Sequence, residues 1–206
     1  MVKNIFSRRA AELSVILGLL CAIFASMAHF EAACDDLRQN VLRLHIIANS
    51  DSEADQAVKL LVRDKILEQS SDVFAGETDL NKAEEKAQAL IDEFCETAER
   101  VLSENGFSYG ASAEIGYSYF ETREYEDFTL PAGNYRSLII RLGESKGKNW
   151  WCVVFPAVCI PAATDASLSD STSDTSAQIA EHPQKYVMRF KTVEIYEDLK
   201  KFLNGK

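Results

Sequence analysis

"RLHIIANSDSEADQAVKLLVRDKI", Arg43–Ile66, passes from a strand-like run to a helix-like one within a few residues. The branched apolar residues of Val41–Asn49 predict a β-strand. "NSDSEAD" then breaks the strand and supplies helix starts, because Ser50 with Glu53, or Ser52 with Asp55, has the spacing of a capping box. From Glu53 to about Gln69 the pattern is helical, with Ala54, Ala57, Val58, Leu61, Val62 and Ile66 on one broad face. Leu60 and Leu67 fall on the other side, so the helix is expected to be covered from two directions. His45, Asn49, Ser50, Asp51 and Asp55 gather at this bend. Either a catalytic site or a docking surface suits such a cluster.

Downstream, apolar residues repeat at three and four from Leu80 to Leu102, which predicts one helix of about six turns. Thr78 or Asp79 caps its start, and Gly106 supplies a left-handed stop. "FSYGASAEIGYSY" alternates strictly, so Phe107 to Tyr119 reads as a long strand with one buried face. "PAGNY" (Pro131–Tyr135) is a turn into "YRSLIIRLG", and "ESKGKN" separates that strand from "WWCVVF". The pair is expected to form an antiparallel hairpin. Residues 162–184, rich in Ser and Asp and lacking Lys and Arg, read as a flexible, solvated loop. The C-terminal "KYVMRFKTVEIYEDLKKFLNGK" predicts a short strand and then a helix, with Val193, Tyr196, Leu199, Phe202 and Leu203 inward. The whole reads as α+β: a single domain with a mostly antiparallel sheet and helices packed on it, preceded by an N-terminal signal or anchor helix.

At 206 residues with 47% hydrophobic composition, the chain has room for one packed domain. A formal net charge of −10 argues against nucleic acid as a partner. Lys3, Arg8 and Arg9 precede an apolar run from Leu13 to Ala28. That order is an export signal's, with its best cleavage site after Ala28 in "SMA". An uncleaved membrane anchor, with the N-terminal segment then in contact with the membrane, and a buried helix of the domain are the alternatives. Residues 1–28 are therefore expected as signal or anchor and 29–206 as an exported domain. The exported part is acidic and should avoid anionic lipid headgroups.

A Ser–His–Asp site needs an imidazole within reach of the hydroxyl and a carboxylate orienting the ring. His45, Ser50 and Asp51 are the candidates for an exported hydrolase, but "ANSDS" has no glycine and nothing like a G-x-S-x-G elbow. Capping and turn formation by Asn49, Ser50, Asp51 and Ser52 is the simpler account. Trp150 and Trp151, adjacent in a strand, must point to opposite faces, so one is core and the other covered or exposed as a contact anchor. Cys152 and Cys159 flank Pro156 closely enough to pair in an oxidising compartment, and two buried thiols are the alternative. No C-x-x-C is present and the three His are far apart in sequence, so no metal or other cofactor is expected.

"LRLHIIANSDSEADQAVKLLVRD" and "NWWCVVFP" together resemble the stage II sporulation protein R family of endospore-forming bacteria. The likeness runs from about Val41 to Phe155 and more weakly to "VEIYEDL". It implies a non-enzymatic signal, made in the forespore and exported into the space between forespore and mother cell. There it would activate a membrane-embedded aspartic protease that processes pro-sigma-E. The resemblance gives the opening stretch a docking role, with His45, Asn49, Ser50, Asp51, Asp55, Gln56 and Arg63 as partner-binding candidates beside Trp150 and Trp151. A structural envelope protein held by its N-terminus is a third reading.

Overall fold

A computed structural model describes residues 2–125, 128–158 and 168–203. Its elements are α1 (Val2–Asn40), β1 (Leu42–Ile47), α2 (Glu53–Phe74), α3 (Leu80–Ala89), α4 (Ile91–Glu104), β2 (Ala111–Phe120), β3 (Arg123–Glu124), β4 (Thr129–Leu130), β5 (Gly133–Leu142), β6 (Asn149–Phe155), α5 (Asp174–Glu181) and α6 (Val187–Leu203). The class is α+β, as expected.

β1 organises the molecule. Leu42, Leu44 and Ile46 are fully buried on one face, beneath α2, α3 and α4. A strand this apolar belongs in the middle of a sheet, and the order is β2-β5-β1-β6. β1 runs parallel to β5, with Leu44 opposite Leu138, and antiparallel to β6, with Leu44 opposite Cys152. The expected β5–β6 hairpin is therefore wrong: β1 lies between the two strands. Their linker bridges two strand spacings, about 10 Å, by crossing over the end of β1. There the Lys146 N–H donates to the Asn49 carbonyl at 3.1 Å and the Gly147 N–H to that of Ala48 at 2.9 Å.

The other face of the sheet carries Phe120, Tyr135 and Val153, covered by Leu37 of α1, by Val41 just after it, and by Ala177 and Ala180 of α5. The segment "HFEAACDDLRQN" is thus part of the core. Phe30, Cys34 and Leu37 are fully buried, whereas Leu13 to Phe24 of the same helix are exposed. Arg38 clamps α1 to the sheet. Its Nε donates to the Ala132 carbonyl at 3.0 Å, and its Nη1 holds Glu31 and Asp35 at 3.0 and 2.6 Å. A Cβ on Gly133 would lie 2.4 Å from that Nε, so only glycine fits there.

Four further expectations change. The single helix over 80–102 is two helices that break at Leu90, where no proline or glycine marks the sequence. β2 begins at Ala111 rather than Phe107, and Tyr117 is 71% exposed where the helical layer ends. Within the expected loop at 162–184, Asp174–Glu181 forms α5, capped by Ser173 and packed on α1. The C-terminal segment has no strand: "VMRFK" opens α6, which buries Phe190 and Val193 and leaves Tyr196, Leu199, Phe202 and Leu203 exposed. A short apolar run fits helix or strand equally by periodicity, and here α1 offers it a helical neighbour.

Candidate functional site

The bend after β1 is a knot around one carboxylate. Ser52 caps α2, its hydroxyl accepting from the Asp55 N–H at 3.1 Å. The Asp55 side chain, 5% exposed, turns inward. Its Oδ2 accepts from Ser50 Oγ at 2.5 Å and Asn49 Nδ2 at 3.0 Å, and its Oδ1 from the Tyr109 hydroxyl at 2.5 Å. Burial alone would raise the Asp55 pKa, but the hydrogen bonds from Ser50, Tyr109, Asn49 and Ser52 outweigh it and hold the group at about 2. Burial and the adjacent carboxylate together push the Tyr109 phenol up.

The β5–β6 linker is tied into the same knot. Asn49 Oδ1 accepts from the Glu144 N–H at 2.9 Å, and Asp51 Oδ1 from the Lys148 N–H at 2.7 Å. Gln56 Nε2 donates to the Ser50 carbonyl at 2.8 Å. Lys59, 4% exposed, donates to Gln56 Oε1 and to the Lys148 carbonyl. Asp55 and Lys59, one turn apart on α2, form no pair among the described residues, since each group is spent elsewhere.

His45 belongs to a different network. Its Nδ1 lies 3.2 Å from Ser118 Oγ, and its ring packs edge-on to Phe120 and Trp151. Burial lowers its pKa, helped by the charges of Arg141 and Arg43 and opposed by a hydrogen bond with Asn149, and the net shift favours the neutral ring. Ser50 bonds Asp55, His45 meets Ser118 and Asp51 holds Lys148, so the geometry joins none of these three into a nucleophile and base. That undercuts the hydrolase alternative.

The two tryptophans do take opposite faces. Trp150 packs on the α2–α4 side beneath Arg63, whose guanidinium carbon is 4.5 Å from the ring centroid. Trp151 packs on the α1 side beneath Arg123, at 4.4 Å. Both rings are half-buried under an arginine, neither bare nor fully enclosed. Trp150→Ala and Trp151→Ala are each expected to lose about 3 kcal/mol of stability, read as the shift of the urea midpoint. A stable variant at either position would mean that ring contributes contact rather than packing. Cys159, the expected partner of Cys152, lies outside the described residues.

Several site residues escaped the sequence. Arg43 is fully buried, stacked on Phe120 at 3.9 Å and Tyr135 at 5.0 Å, and it donates to the Tyr125 hydroxyl. Period-two alternation between Leu42 and Leu44 was its only signal. Tyr109, the third donor to Asp55, was legible only as part of a strand's buried face, with nothing local to aim it at Asp55.

The family model described as stage II sporulation protein R matches residues 38–165, more than half the chain. The chain belongs to the stage II sporulation protein R family. The curated stage II sporulation protein R of Bacillus subtilis (strain 168) is 32% identical over 118 residues, 57% of this chain and 53% of that protein. The chain thus spans about half the length of the curated relative it matches. No solved structure matches. The family region starts at Arg38, takes in the whole four-stranded sheet and the Asp55 knot, and stops before α5 and α6.

Proposed function

We propose that this protein is an exported sporulation signal that activates a membrane-embedded aspartic protease responsible for processing pro-sigma-E. Family membership supports a role in sporulation, and the match over residues 38–165 carries the reading. The helix over Arg9–Asn40 is long and apolar enough to cross a membrane, which suits a signal or an anchor. Under this reading the chain acts from the forespore on the facing membrane, outside the cytoplasm. Activation then requires that the domain bind the protease's active state more tightly than its inactive one.

The docking surface we propose lies around the exposed rim of the knot, Asp51, Ser52 and Glu53, together with the Arg63–Trp150 stack. Asp55, Lys59 and Asn49 hold that rim from beneath.

Co-expression of the full chain with the protease and its pro-sigma substrate, in a host lacking sporulation genes, tests this. Processing that depends on the chain is expected. Its absence would leave a structural envelope role as the better account. In the same assay Ser50→Ala is expected to keep most activity while losing about 1 kcal/mol of stability. A wild-type melting curve with no processing would instead revive Ser50 as a nucleophile.

A further inference from the structure

We propose that the outward face of α6 is a self-association surface, on which α6 of a second copy packs antiparallel. This goes beyond the activation reading and does not depend on it. α6 is apolar on two sides. Phe190 and Val193 are buried against Phe30, Ala33 and Cys34 of α1. On the opposite side Met188, Ile195, Tyr196, Leu199, Phe202 and Leu203 are 53% to 81% exposed.

The exposed side has the spacing of a helix–helix seam. Met188, Thr192, Ile195, Leu199 and Phe202 follow one another at alternate steps of four and three. Lys191 and Asp198 flank the seam on one side. Both are exposed: Lys191 pairs with Glu194 within the same helix, and Asp198 meets the Tyr119 hydroxyl only at 3.4 Å. Exposed contacts of this kind are cheap to exchange.

Charge selects the orientation. An antiparallel register that sets Thr192 against Ile195 of the second copy, and Leu199 against its Met188, brings Lys191 beside the second copy's Asp198. The two-fold axis makes that pairing twice. A parallel register would leave Lys191 facing Tyr196 and Asp198 facing Leu203, with neither charge paired.

A protein occupant fits better than a lipid surface. α6 runs beside α1 in the same direction: Arg189 reaches Ser26 Oγ at 3.0 Å, while Glu197 and Lys200 share a cavity with Asp35, Arg38 and Gln39. If residues 9–27 cross a membrane, α6 rises away from it, whereas a lipid-bound helix lies in the interface plane. Antiparallel pairing also sends the two α1 helices in opposite directions. The dimer therefore belongs to copies that are not held side by side in one membrane.

The test is sedimentation of the full chain in detergent micelles, with far-UV circular dichroism as the check on folding. A dimer with Kd on the order of 10 μM is expected, since one helix pair is a small interface. Ile195→Glu should weaken it at least about a hundredfold, because it buries a charge in the seam. Lys191→Asp should weaken it about tenfold, and Lys191→Asp with Asp198→Lys should restore it to within about threefold. A chain that stays monomeric at ~0.1 mM overturns the proposal, as does an Ile195→Glu variant that dimerises like wild type. A dimer that the double charge swap fails to restore rules out the antiparallel register. Binding of the monomer to phosphatidylglycerol vesicles, lost in Ile195→Glu, would assign the stripe to lipid and overturn the proposal as well.

Discussion

Asp55→Ala is expected to destabilise the domain by about 4 kcal/mol, because it strands the donors of Ser50, Asn49 and Tyr109 in a buried site. The sequence suggested a partner-facing charge whose loss would spare the fold, and the inward carboxylate reverses that expectation. A pH dependence follows. The folded-state pKa of about 2 lies below the ordinary 3.8, so the contribution is fully present above about pH 4 and is lost as pH falls toward 2. Its size is about 2 kcal/mol. Urea melts between pH 2 and pH 6 measure it, and Asp55→Asn should flatten that dependence. A loss below about 1 kcal/mol at neutral pH would show that the three donors find water or other partners when the carboxylate is gone.

Leu17→Arg with Leu20→Arg is expected to abolish export and, under the proposed role, signalling. Both positions are exposed in the apolar half of α1, and each arginine adds about 3 kcal/mol to the cost of membrane insertion. The folded domain should be unaffected, since contact between α1 and the rest of the domain begins at Ser26 and full burial at Phe30. Fractionation of the double variant, together with its melting curve, checks both halves. Wild-type delivery would mean the helix is neither signal nor anchor.

The β1–α2 junction was legible because everything that makes it is local. The period changes from two to three-and-a-half within ten residues, and Ser52 sits three residues before the N–H it caps. Gly106 was legible for the same reason, with a positive φ at a helix end. What failed was nonlocal. Strand order cannot be read from strand identity, so β5 and β6 looked like neighbours until β1 filled the gap between them. Asp55 looked like a surface acid because its third donor lies 54 residues away. α6 failed differently: with apolar residues on both sides, periodicity could not say which side meets α1. Phe190 and Val193 won that place, and Leu199 and Phe202 lost it.

α1 has no joint between its apolar half and the half embedded in the core. The two halves therefore share one helical phase. Every residue between them advances the domain by about 1.5 Å and turns it by about 100° around the helix axis. Whatever grips residues 9–27 fixes both the height of the sheet and its compass bearing. Removing one residue near Ala28 would swing the knot, the tryptophans and α6 through more than a quarter turn, breaking the Arg189–Ser26 contact but keeping those from Phe30 onward, so the heading of this domain is counted in residues of a helix it only half contains.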